Sequence, residues 1–155
     1  MADRYAVTGE QLVVVVSPGQ TMINLFNSPA APVTRGEVFY FSASAGGTMA
    51  DQLQRVQLQR TTVTGTEGAG VTPAGFNDVV LAGSFDAGED HSAEPTFTSA
   101  TELWEEDVHV RALAQIQLQP DGHFILPATQ NNGVAIRSFS ATYGGSAHAT
   151  IHFME

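Results

Sequence analysis

The sequence predicts an all-β fold, a single antiparallel β-sandwich with jelly-roll character and about eight strands. Three observations carry that expectation. From Val108 the even positions read Val108, Val110, Ala112, Ala114, Ile116 and Leu118, while the odd ones read His109, Arg111, Leu113, Gln115, Gln117 and Gln119. Near the C-terminus Ala147, Ala149, Ile151 and Phe153 alternate with His148, Thr150, His152 and Met154. A period of two sends alternate side chains to opposite faces of a strand, one toward a core and one toward solvent or a partner. Turn residues then recur through the C-terminal half about every 8–12 residues, the spacing of sandwich strands.

Taken in order, Gln11-Leu-Val-Val-Val-Val16 and Thr21-Met-Ile-Asn-Leu-Phe26 read as strands joined by a turn at Ser17-Pro-Gly-Gln20. Pro29 and Pro32 place a loop after them. Glu37-Val-Phe-Tyr-Phe-Ser42 is aromatic and β-prone. Leu53 to Val63 reads as a strand with a bulge expected near Arg55, where the alternation slips. Gly65 to Gly75 is glycine-rich and reads as a loop, Phe76 to Leu81 as a short strand or turn, and Thr96 to Thr98 as a short strand. The long alternating strand follows Trp104. Asp121-Gly122 predicts a hairpin turn over Pro120 to His123, and Phe124 to Leu126 returns from it. Gln130-Asn-Asn-Gly133 predicts a second turn, with strands over Val134 to Thr142 and Ala147 to Met154.

The 155 residues suit one domain large enough to fold without metal or disulfide. The 43% apolar content excludes intrinsic disorder, and the absence of cysteine excludes a disulfide framework. Leu12 to Val16 is too short for a signal-peptide core or a membrane span, so synthesis as a soluble protein in a cytoplasm is expected. Sixteen acids oppose six bases, all arginine, for a formal charge of −10. That balance disfavours nucleic acid and anionic membranes, since phosphate affinity comes from clustered Lys and Arg. It suits a self-repelling particle or a partner with a basic patch.

No enzyme is expected. Nucleophile elbows, phosphate-binding loops and zinc-protease motifs are missing, and Schiff-base chemistry has no lysine to use. His148 and His152 share a strand face, yet four residues of strand put them about 13 Å apart, too far to hold one ion. His109 joins them only if the strands pair. Neither metal nor cofactor is expected. Asp86, Glu89, Asp90 and Glu94 lack calcium-loop order and read as a solvated acidic loop, as do Glu102, Glu105, Glu106 and Asp107. Trp104, Phe39, Tyr40 and Phe41 can stack on sugars, but strand aromatics more commonly fill cores. The strand at Leu12 to Val16 is apolar on both faces, so it needs cover from the chain's own loops or from another subunit. Leu12, Val13, Val14, Val15, Val16, Met22, Ile23, Leu25 and Phe26 are therefore the expected partner contact, and residues 1–28 an N-terminal arm or intersubunit strand segment.

Phe124-Ile-Leu-Pro-Ala-Thr-Gln-Asn-Asn-Gly-Val-Ala-Ile136 through Ala149-Thr-Ile-His-Phe-Met-Glu155 resembles small β-sandwich structural proteins of tailed bacteriophages, closest in style to capsid decoration or cement proteins. The resemblance implies a non-enzymatic virion protein on the capsid surface. Such a protein trimerises and clamps neighbouring major capsid subunits. It carries over no functional residue. The competing expectation is a carbohydrate- or receptor-binding module of a tail or surface protein.

Overall fold

The computed structural model describes residues 3–11, 19–31, 33–45, 51–76, 83–139 and 145–155. Its strands in chain order are β1 (Arg4–Gln11), β2 (Gln20–Asn27), β3 (Gly36–Ala45), β4 (Leu53–Val63), β5 (Ala69–Val71), β6 (Ala74–Gly75), β7 (Phe85–Glu89), β8 (Thr96–His109), β9 (Leu113–Gln117), β10 (Phe124–Leu126), β11 (Gly133–Phe139) and β12 (Ala147–Met154). One 3₁₀ turn lies at Pro120–Gly122. All pairings are antiparallel. The first sheet, A, runs β10-β3-β12-β1-β6 with β9 also on β3; the second, B, runs β5-β7-β2-β11-β4-β8. With β9 and β10 as two halves of one interrupted strand, successive long strands change sheet except for β4 and β8, which pair in B; this is the jelly-roll order, two Greek keys wound into one sandwich. The short strands β5, β6 and β7 lie in an excursion between β4 and β8.

The core fills the space between the sheets, and the two-residue period decides who enters it. In β12, Ala147, Ala149, Ile151 and Phe153 are buried while His148, Thr150, His152 and Met154 face out. Phe153 stacks on Tyr5 of the same sheet at 5.3 Å between ring centroids and meets Phe85 of the opposite sheet edge-on at 5.2 Å. Phe41 meets Trp104 across the same gap at 5.2 Å. Trp104 is therefore a sandwich aromatic packed against the core.

Several expectations are corrected. The alternation over Val108–Leu118 is not one strand: β8 ends at His109, the chain turns, and β9 begins at Leu113 in the other sheet. The period survives because a tight corner keeps parity, so Val110 and Ala114 both stay buried. Pro120 to His123 is not a hairpin either. β9 pairs Tyr40–Ser44 and β10 pairs Gly36–Val38, so the chain bulges away and resumes along the same neighbour in the same direction. In β4 the register slips lie between Leu58 and Val63, beyond Arg55. The glycine-rich loop contains β5 and β6, and β1 covers Arg4–Gln11, where no strand was expected; the expected strand beyond Gln11, over Leu12 to Val16, lies outside the described residues. Residues 77–82 and 140–144 lie outside the described set, and with them the short strand or turn expected over Phe76 to Leu81, apart from Phe76, and the end of the strand expected over Val134 to Thr142.

The acidic run is also corrected. Asp86 stays exposed, but β7 includes it, and the next three carboxylates turn inward. Glu89 accepts the Glu10 amide at 2.7 Å, Asp90 accepts the Gln11 side chain at 3.2 Å, and Glu94 accepts both the amide and the hydroxyl of Thr21. Charge-assisted bonds of this kind are the stronger class. They tie the excursion to β1 and β2.

Candidate functional site

Among the described residues β2 and most of β11 in the middle of sheet B are buried on both faces, whereas alternate residues of β1 and β12 in the middle of sheet A reach the surface. Three strands build the central feature of that surface. In β3, Val38 opposes Phe153 and Tyr40 opposes His152, which leaves Phe39 as an extra residue without a partner in β12. A bulge inserts such a residue and re-aims its neighbours. Without it, Phe39 and Tyr40 would point to opposite faces. With it, both lie half-buried on the outside, between the buried Val38 and Phe41. The Phe39 carbonyl accepts the Leu118 amide on the other side, at 2.9 Å, which holds the distortion in place.

His152 of β12 lies at the centre of this cluster. Its ring is 4.5 Å from Tyr40, 5.0 Å from Phe76 and 6.0 Å from Phe39. Phe76, 47% exposed, meets Phe39 edge-on. The Arg4 guanidinium lies 5.6 Å over the Phe39 ring, a cation–π distance. The 3₁₀ bulge brings in His123, whose Nδ1 lies 3.1 Å from Glu37 and whose ring is 6.1 Å from Phe39. Farther along the face, His148 pairs with Glu10 at 3.4 Å, and Thr8 and Thr150 exchange a hydroxyl hydrogen bond at 2.9 Å. The strands of sheet A carry one base and two acids, Arg4, Glu10 and Glu37. Edge strand β8 of sheet B alone carries Glu102, Glu105, Glu106 and Asp107, all exposed. A charged edge resists pairing with another chain. The face that holds the aromatics is thus the weakly charged one on an acidic protein.

The three histidines singled out in the sequence do not come together. His148 and His152 are on sheet A, whereas His109 is at the end of β8 in sheet B. His109 braces the corner to β9: its Nδ1 accepts the Arg111 amide at 3.2 Å, and Nε2 lies 2.8 Å from Asp51. Nδ1 as acceptor places the proton on Nε2. No group of three acidic or histidine side chains among the described residues is placed to hold a metal ion. Of the expected partner contact, Met22, Ile23, Leu25 and Phe26 are at most 5% exposed and lie within the chain's own sandwich, so they offer no surface. Leu12 to Val16 lie outside the described residues. β1 and β2 are integral strands of different sheets, so their part of residues 1–28 is no arm. Phe41 is buried, and only Phe39 and Tyr40 of the named sugar stackers reach the surface cluster. Sequence reasoning missed Arg4, Phe76 and His123, which no local pattern connects to β3.

Burial lowers the pKa of His152 and also of His91, which is enclosed in the loop after β7. A fold that keeps a histidine neutral binds fewer protons than its unfolded chain below the ordinary value of 6.5, so stability rises with pH. The melting temperature is expected to be level above pH 7 and to fall as the pH drops to about 5.5. His91→Gln with His152→Gln should flatten that slope in thermal melts; a slope unchanged by both substitutions would contradict it. Glu67, whose pKa burial and then Asp86 raise, works in the opposite sense as the pH rises above 4.5, and the double histidine variant isolates the histidine part of the slope.

No protein-family model matches the chain, and no curated protein matches it in sequence.

Proposed function

We propose that the chain is a non-enzymatic structural protein of a virion, a head decoration protein that trimerises through the outer face of sheet A and binds major capsid subunits. The observation that carries this reading is the concentration of Phe39, Tyr40, Phe76 and His152 on the sheet with the least charge. Copies of a chain with a formal charge of −10 repel one another, and they meet at least cost where that charge is missing. Exposed aromatic clusters mark contact surfaces because they combine large buried area with few rotatable bonds. The jelly roll supports the reading as a fold that capsid and lectin domains share, and a shared fold by itself does not fix the role. The phage-like C-terminal third adds the virion context.

The mechanism is mechanical. Packaged DNA presses the shell outward, and a trimer that spans several capsid subunits opposes their separation. Three linked sites raise effective affinity without any new contact. The acidic edge β8 stays outside the trimer and is available to a basic patch on the shell. Purified chain added to heads assembled without it should co-sediment saturably and raise the temperature at which the heads rupture. Heads that neither retain the chain nor gain stability would overturn the assignment.

A further inference from the structure

β9 is an edge strand of a different kind from β8. It pairs with Tyr40 to Ser44 of β3 on one side, and among the described residues no strand pairs with it on the other. The Leu118 amide bonds the Phe39 carbonyl, one step beyond the Gln117–Tyr40 pair. In an antiparallel ladder bonded and non-bonded pairs alternate. Ala114 and Ile116 therefore turn their N–H and C=O toward β3, whereas Leu113, Gln115 and Gln117 turn theirs away from it. Such a free row is a template for a further strand, and proteins commonly guard it with charge or proline. β8 has that guard in Glu102, Glu105, Glu106 and Asp107. β9, Leu113-Ala-Gln-Ile-Gln117, has neither charge nor proline.

The two edges lie together. The corner at Val110 to Ala112 joins β8 to β9, and the two strands approach each other along one side of the sandwich. Glu106 opposes Val56 of β4, a core residue. Directly opposed residues share a face, so Glu106 leans from sheet B toward sheet A, beside the track of any strand added to β9. Glu105 bonds Gln57 and lies 4.0 Å from Arg55, and Glu102 bonds Gln59. The exposed side chains of Glu106 and Asp107 have no hydrogen-bonded or ionic partner among the described residues. The corner sets one base, Arg111, against these acids.

This charge selects the occupant. A second copy paired edge to edge through β9 would bring its own acidic β8 alongside the first, and like charges so placed oppose assembly. A segment bearing Lys or Arg meets the reverse situation. We infer that β9 takes an extended, basic segment of a partner protein as an added strand of sheet A. Its backbone bonds Leu113, Gln115 and Gln117, and its inward side chains reach Glu106. Strand addition draws affinity from the main chain and selectivity from alternate side chains. The edge of sheet A is used, and the outer face of that sheet is left to the trimer.

Fluorescence anisotropy with the full chain and three labelled heptapeptides tests the inference. One alternates valine and arginine, one is that peptide N-methylated at every backbone amide, and one has glutamate for arginine. The first should bind saturably and the other two about tenfold or more weakly. Gln115→Pro removes an amide that β3 does not use, a place where an edge strand tolerates proline. It should weaken binding about tenfold or more and melt close to native. Gln115→Lys with Gln117→Lys keeps every amide, repels the basic peptide and should act in the same direction. No binding of the first peptide, equal binding of either control peptide, or native affinity in the lysine double variant would overturn it. A folded Gln115→Pro that binds normally would do so as well. The peptides report on β9 without heads or trimers, so this result stands or falls apart from the assembly reading.

Discussion

Phe153→Ala is expected to destabilise the fold by about 3–5 kcal/mol, the range for emptying a large aromatic site in a core. The ring is fully buried, stacks on Tyr5 and meets Phe85 edge-on across the sandwich. Its loss removes transfer energy, leaves a cavity between the sheets and breaks two ring contacts worth about 0.5–1.5 kcal/mol each beyond area. Domains of this kind are stable by about 5–15 kcal/mol, so about a fifth of the margin or more is at stake. Urea melts measure it, and Phe153→Leu should fall between the alanine variant and native. A loss below about 1 kcal/mol for the alanine variant would mean that β12 does not seal the core.

Gly133→Ala is the second large effect and acts by crowding. Gly133 opens β11 directly after the Gln130-Asn131 turn and pairs with Phe26 on one side and Thr61 on the other. A Cβ there would overlap the Leu25 carbonyl oxygen and sit 2.7 Å from the Phe26 Cα. Backbone of a central strand cannot swing aside as a flexible side chain can. The cost should reach the upper end of the roughly 1–3 kcal/mol typical of overpacking. Gly122→Ala is the control: a Cβ there meets nothing within 4 Å, and a change within about 0.5 kcal/mol is expected. Equal effects at the two positions would contradict the β2–β11 packing.

The fold was legible wherever one strand face is buried and the other wet. β12 begins and ends where its alternation does, the turn at Gln130 to Gly133 stands as expected, and β3 and β4 were recognisable from their residues. Features that depend on partner strands were not. The bulge at Phe39 is a slip against β12, and nothing in Glu37 to Ser42 signals it. The corner at Val110 to Ala112 preserves the two-residue period, so a change of sheet looked like a continuous strand. Asp121-Gly122 carries a hairpin signature, yet β3 offers both flanking segments the same edge. The carboxylates after Asp86 looked solvated because their acceptors' partners, the amides of Glu10 and Thr21, lie more than seventy residues away. The candidate site was half visible: Phe39, Tyr40, His148 and His152 stood out by type, while the grouping with Arg4, Phe76 and His123 is tertiary.

Sedimentation velocity on the native chain and on Tyr40→Asp with Phe76→Asp addresses most directly whether sheet A is the contact face. The native protein should run at three times its 16.4 kDa mass at neutral pH. The double variant should run as a single chain that still melts in one cooperative transition, since neither side chain belongs to the core. A native protein that stays monomeric at every concentration, or a charged face that assembles as well as the original, would contradict the account.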